Sequence, residues 1–259
     1  MSNLNFHPTA IISDKAVIGD NVKIGPFSII NDDVEIGDNT EIQSSVVLAD
    51  GARIGKDCLV CHGTVIATEP QDLKFGGEKS LAVIGDRTIL REYVTVNRGT
   101  KATGRAIVGE DCFLMAYSHI AHDCVVGNNV IIANVTQLAG HVHIDDWAII
   151  GGVVKVHQFC RIGCHVMVGA DVKVAKDIPP YTLVGSIPPK IDGINKIGMR
   201  RRGFSKELIR EIEEFYYTLF HSGMNNKDGI KKFLERPVVS DEIKACIKFI
   251  EESDRGIYR

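Results

Sequence analysis

Histidines at 119, 122, 141 and 157, with Asp123, Gly140 and Gln158, are the residues of this 259-residue chain whose types and spacing could do chemistry. His122, Gly140 and Gln158 are spaced by 18 and 18 residues. His141 and His157 flank that series, and His119 precedes His122 by three. Imidazole titrates near neutral pH, so proton abstraction by a general base is the natural role of such a cluster. Clustered histidines also suit zinc, which metal analysis would reveal. Taken singly, each histidine reads as an ordinary surface side chain. Their convergence matters only if 18 residues is a structural repeat.

The sequence supplies that repeat. Aliphatic residues stand at every sixth position from Ile12 to Ile66, at Ile84, Leu90 and Val96, and again without a miss from Val108 to Val174. Six is not a multiple of the 3.6-residue helical turn, so a helix would let this stripe wander. Short strands joined by tight turns keep it fixed. The pattern predicts a parallel β-helix of triangular cross-section, one hexad per side, with the glycine that often follows the aliphatic permitting the turn. Three hexads make an 18-residue coil, and coils stack about 4.8 Å apart. His122, Gly140 and Gln158 are then expected in one column on one edge. The fourth residue after each aliphatic is almost always small, as a narrow interior requires. Cys58, Cys112, Cys124 and Cys160 fall in this slot and read as packing residues rather than ligands.

The hexads predict a solenoid over 1–185, with loop insertions near 67–82 and 98–106, followed by a helical domain over 190–259. Prolines in KDIPPYTLVGSIPPK end the strand pattern. Ser205 is a candidate N-cap before Leu208, Ile212, Phe215, Tyr216 and Leu219, and Gly223 can end that helix. Ser240 precedes a second apolar series at Ile243, Ile247 and Ile250. Thirty basic against 33 acidic residues argue against a general nucleic-acid binder. A polar amino terminus and the absence of any long apolar run predict a cytoplasmic protein without an integral membrane segment. Seven cysteines with a single CxxC fit a reducing compartment.

The repeat resembles that of the hexapeptide-repeat acyltransferase superfamily, which implies a left-handed solenoid against the usual crossover rule. The stretches PQDLKF (70–75), NRGT (97–100), HIAHDC (119–124), LAGHV (138–142), VHQFC (156–160), DIPPY (177–181) and RRGFS (201–205) are more specific. In this order, over nearly the whole chain, they resemble the UDP-N-acetylglucosamine O-acyltransferases that open lipid A biosynthesis. The resemblance implies transfer of an (R)-3-hydroxyacyl chain from an acyl carrier protein thioester to the sugar 3-hydroxyl. It implies His122 as general base, Asp123 as its orienting acid and the Gly140 N–H as oxyanion donor. It places Asp72, Lys74, His119, His141 and Gln158 on the sugar nucleotide, and His157 is grouped with them by its place beside the column. Arg201 would meet the diphosphate and Asn195 the nucleoside, while the basic run Arg200 to Arg202 would attract an acidic carrier protein. The resemblance further implies a homotrimer with active sites in its clefts, no metal and no cofactor beyond the carrier thioester.

Three positions depart from that pattern. Asn97 precedes RGT where histidine is frequent, Ile197 stands where an acidic residue is common, and Ala170 replaces a frequent glycine, which predicts a shorter acyl chain. A 3-amino sugar acceptor remains open. The related UDP-3-O-acylglucosamine N-acyltransferases usually carry a further domain before the solenoid, whereas these hexads begin by residue 12. An ice-binding solenoid would show a regular Thr-x-Thr ladder, which is missing. Hexapeptide-repeat carbonic anhydrases share the repeat but not these motifs.

Overall fold

The computed structural model describes residues 5–259; the first four residues of the polar amino-terminal stretch lie outside the described residues. Most strands are two residues long, such as Ile131–Ile132 and Ile149–Ile150, with the first side chain outward and the second buried. They pair in parallel with the strand one coil away: Ile131 faces Ile149 and Ile132 faces Ile150. The chain visits three sheets in turn, of 11, 9 and 8 strands among the described residues. The result is a left-handed parallel β-helix. From Ile24 to Val174 the interior column of aliphatics is buried, and Ile120, Ile132, Leu138, Ile144 and Ile150 have no exposure, while Ile12 and Ile18 in the first coil are only partly buried. Each such side chain contributes about 1.5–3 kcal/mol on burial. Cys58, Cys112, Cys124 and Cys160 are buried beside them, and burial pushes each thiol up, to about 12 for Cys124.

The role expected of the hexad glycines is corrected. Gly19, Gly37, Gly55 and Gly127 do not have a left-handed φ. Space demands them instead, since a Cβ on Gly37 would lie 2.7 Å from the Gly55 carbonyl carbon in the next coil. The left-handed position comes two residues later and is usually not glycine: Asn39 (φ 59°), Asp123 (58°), His141 (61°) and His165 (57°) occupy it. That conformation costs roughly 1–2 kcal/mol per non-glycine residue. The ladder holds it in place at Asn39, His141 and His165, whose N–H groups donate to carbonyls of the coil below, His141 to His122 at 3.1 Å and His165 to Asp146 at 3.0 Å.

The strand pattern runs past the prolines. Thr182–Val184 joins the first sheet and pairs antiparallel with Gly193–Ile194. Four helices follow among the described residues: α1 (Lys196–Arg201), α2 (Lys206–His221), α3 (Asn226–Phe233) and α4 (Asp241–Glu251). Ser205 and Ser240 cap α2 and α4 through their hydroxyls, and Gly223 follows α2 with φ 75°. The two short helices α1 and α3, capped by Asn195 and Asn225, carried too little periodicity to be anticipated. A second core of Met199, Ile212, Phe215, Leu219, Phe233 and Ile243 ties the helices together. The Tyr216 hydroxyl donates to the Pro180 carbonyl at 2.7 Å, and Tyr258 closes back on Asp177, so this core seals the carboxy-terminal end of the prism. No helix among the described residues is long and apolar enough to cross a membrane.

A candidate active site on one edge of the prism

The edge between the second and third sheets carries the histidine column. His122 follows the second-sheet strand His119–Ile120, Gly140 follows Gln137–Leu138, and Gln158 follows Lys155–Val156. The expected stacking is direct. A Cβ built on Gly140 would lie 2.5 Å from His122 Cε1 and 2.6 Å from Nε2, so glycine is needed here for space rather than for backbone conformation. Among the described residues the Gly140 N–H finds no backbone acceptor, and Gly140 lines the cleft.

Asp123 accepts from His122 Nδ1 at 2.8 Å. A carboxylate only accepts, so Nδ1 carries the proton and Nε2 keeps its lone pair for the cleft. Asp123 is 4% exposed. Its Oδ1 also accepts from the Thr100 N–H at 3.0 Å and the Thr103 hydroxyl, and its Oδ2 from the Thr100 hydroxyl at 2.8 Å. Burial pushes this carboxyl up, but the hydrogen bonds from Thr103, His122 and Thr100 outweigh it and hold the group at about 2. It is therefore ionised at any working pH. His141 Nε2 lies 3.7 Å from Asp123 Oδ2, and its ring meets His122 edge-on at 5.2 Å and stacks on Phe159 at 4.5 Å. His119 Nδ1 bonds the Thr95 hydroxyl at 2.7 Å, and burial together with the neighbouring His122 holds its imidazole below the usual range, hence neutral.

These groups border a cleft of about 480 Å³ lined by His119, His122, Gly140, His157 and Gln158, together with Gln71, Gln137, Lys155 and Lys173. Both loop insertions interrupt this same edge, between Val65–Thr68 and Leu81–Ile84 and between Thr95–Asn97 and Arg105–Val108. The first brings Gln71 to the cleft; the second brings Thr100 and Thr103 to Asp123. Sequence reasoning missed Lys155 and Lys173, although they continue an in-register outward column from His119 through Gln137. It also missed the threonines: Thr100 ends the NRGT stretch, and Thr103 lies beyond it and carried no signal of its own.

Other candidate residues lie elsewhere in the single chain. The Asp72 carboxylate accepts from the Lys74 N–H at 3.0 Å and shapes its own turn; neither residue lines the cleft. Asn195 caps α1 and donates to the His165 carbonyl at 2.9 Å, on the edge between the third and first sheets, with Arg201 exposed on the same helix. Of the three departures, Asn97 is buried and donates to Thr68 Oγ1 and the Glu69 carbonyl at the root of the first insertion. Ile197 is exposed on α1, and Ala170 sits in a turn between the first and second sheets. One potential ligand atom each from His122, Asp123 and His141 lies within 4.8 Å of the others, close enough to be weighed as a metal site. The Asp123 lone pairs and His122 Nδ1 are already committed to hydrogen bonds, so the set fits an oriented general base better.

Residues 177–258 match the family described as UDP-N-acetylglucosamine O-acyltransferase, domain 2, and residues 15–50, 35–68 and 105–137 match bacterial transferase hexapeptide repeats. A curated relative from Stenotrophomonas maltophilia (strain R551-3), named acyl-(acyl-carrier-protein)–UDP-N-acetylglucosamine O-acyltransferase, is 47% identical over 98% of this chain and 97% of its own. The chain belongs to the UDP-N-acetylglucosamine O-acyltransferase family. A like-named relative from Janthinobacterium sp. (strain Marseille) is also 47% identical, over 98% of each chain. The solved UDP-N-acetylglucosamine acyltransferase of Bacteroides fragilis 9343 superposes with a TM-score of 0.95 at 46% identity, covering 98% of this chain and 99% of that one. The Arabidopsis UDP-N-acetylglucosamine acyltransferase superposes with a TM-score of 0.81 at 30% identity, covering 98% and 100%. This O-acyltransferase family thus spans both halves of the molecule.

Proposed function

We propose that the chain transfers an (R)-3-hydroxyacyl group from the thioester of acyl carrier protein to the 3-hydroxyl of UDP-N-acetylglucosamine, the first step of lipid A assembly, as a cytoplasmic enzyme. The observation that carries the reading is His122, held by buried Asp123 with Nε2 free and packed against Gly140 of the next coil. In this mechanism Nε2 takes the proton of the sugar hydroxyl as the oxygen attacks the thioester carbonyl. The Asp123 carboxylate stabilises the imidazolium that forms, without taking its proton. The Gly140 N–H donates to the carbonyl oxygen as it gains charge, and the proton on Nε2 then passes to the departing thiolate. His119, Gln158 and His157, with Lys155 and Lys173, offer donors and positive charge for the hydroxyls and phosphates of the acceptor.

The active form in this reading is a homotrimer. Supporting it, the outer face of the first sheet carries Leu59, Ile89, Phe113, Ile131, Ile149 and Met167 in unbroken register, an apolar stripe that a second copy would cover. Asn195, Arg201, Asp72 and Lys74, which do not line the cleft within one chain, reach a substrate in this reading from a neighbouring subunit or by loop movement.

Incubation with UDP-N-acetylglucosamine and a panel of 3-hydroxyacyl carrier proteins tests the assignment. The native protein is expected to form the 3-O-acyl product, and His122→Ala to lose at least about a thousandfold in kcat while keeping its fold and sedimentation. Undiminished turnover by that variant would remove His122 as the base.

A further inference from the structure

We infer that Thr103, with Thr100, is a positioning residue for catalysis: its hydroxyl holds the Asp123 carboxylate in the orientation that aims His122 Nε2 into the cleft. The inference rests on the reading of His122 as general base.

Asp123 sits at a left-handed turn position, where the repeating backbone ladder supplies nothing to fix its side chain. Both oxygens are instead held from one direction by the second insertion, through the Thr100 N–H, the Thr100 hydroxyl and the Thr103 hydroxyl. The Thr103 hydroxyl has one proton and two acceptors in reach, Asp123 Oδ1 and the Arg105 carbonyl at 2.8 Å. A charged acceptor outcompetes a neutral one, and the Arg105 N–H at 3.4 Å leans on the same oxygen from the other side. Thr103 is exposed apart from this contact, so packing gives no reason for a hydroxyl there. The insertion is itself braced by the first loop, whose Glu78 carboxylate accepts from the Lys101 N–H at 2.9 Å.

The effect of losing Thr103 has a definite sign. With one donor fewer, more negative charge on Asp123 is left for His122 to answer, which favours the imidazolium and disables the base at a higher pH than in the native protein. The other titratable groups facing this pair are His119 from the strand before it and His141 from the turn one coil on, with Lys155, His157 and Lys173 across the cleft. From the insertion come Lys101 and Arg105, both exposed. None of these contacts Thr103 through its side chain, so all stay in place when it is changed.

The experiment compares Thr103→Val, which keeps the shape and removes the hydroxyl, with Thr103→Ser, which keeps the hydroxyl. For Thr103→Val, kcat is expected to fall roughly tenfold, the effect of one hydrogen bond to a charged group, with KM for the nucleotide sugar unchanged. The acidic limb of its kcat profile is expected to move up by about half a pH unit. Thr103→Ser is expected to recover both. Should Thr103→Val fold differently by circular dichroism, Thr103→Ala reads the same two quantities. A native acidic limb with native kcat, or a loss confined to KM, overturns the inference. His122→Ala, run beside it, separates the two readings: if that variant is inactive while Thr103→Val behaves as native, the positioning role fails alone, and if it stays active, the base assignment fails.

Discussion

His141 and His165 occupy the same left-handed position of the hexad turn on two different edges of one prism, yet their surroundings give them opposite tasks. On the edge between the second and third sheets, His141 stacks on exposed Phe159 and faces the His122–Asp123 pair. On the edge between the third and first sheets, His165 is sandwiched between Trp147 at 6.2 Å and Tyr181 at 5.3 Å, both nearly parallel to it, and Phe204 meets it edge-on. Arg202 lies over the Trp147 ring and within 3.3 Å of His165 Nδ1. Burial, and then the Arg202 charge, push this imidazole down to about 4. It is neutral and structural, a peg that joins the helices to the solenoid. The lesson is that a repeat fixes where a side chain stands, while its neighbours fix what it can do. An edge left open beside an insertion offers a candidate site; an edge covered by helices becomes a seam.

The contrast can be broken at each edge in turn. The largest effect is expected from Asp123→Asn, which would release the His122 tautomer and lower kcat roughly a thousandfold or more. Steady-state kinetics with thermal melting would check it, and a variant that loses stability but not turnover would contradict the orienting role. Gly140→Ala comes next. Its methyl cannot coexist with the His122 ring at 2.5 Å, so the ring must move, and about a hundredfold loss of kcat is expected. Native kcat in this variant would mean that His122 and the Gly140 amide need not adjoin.

The smallest effect belongs to the covered edge and concerns stability alone. Unfolded, His165 binds a proton below its ordinary value of 6.5, whereas the folded protein resists protonation until about 4. Its contribution is therefore complete above about 6.5 and is lost as the pH falls from there toward 4. His165→Phe keeps a ring between Trp147 and Tyr181 without a titrating group, and its Tm should decline less over that window than the native Tm. Parallel declines would show that His165 is not what makes this seam sensitive to acid.

The two histidines also mark what was legible beforehand. The 18-residue register placed His122, Gly140 and Gln158 in one column, and the structure stacks them there. His165 went unremarked, although it stands in an equivalent turn of the hexad, and no spacing rule tells an open turn from a covered one. Ser205 and Ser240 announced their helices through hydroxyl caps before apolar series, whereas α1 is six residues long and offered no period to read. The hexad glycines were noticed for the wrong reason, because a turn preference is local and a clash with the next coil is not.

By itself, then, the sequence determined the period, the sealed aliphatic interior and the column on which the candidate base and amide stand, because a coil of constant length turns spacing along the chain into position in space. Only the tertiary structure decided that both insertions come to the histidine edge with Thr100 and Thr103 on Asp123, and that the helices cover His165. Those contacts join segments that do not repeat, and their geometry depends on how each loop closes and packs rather than on any rule the hexads obey.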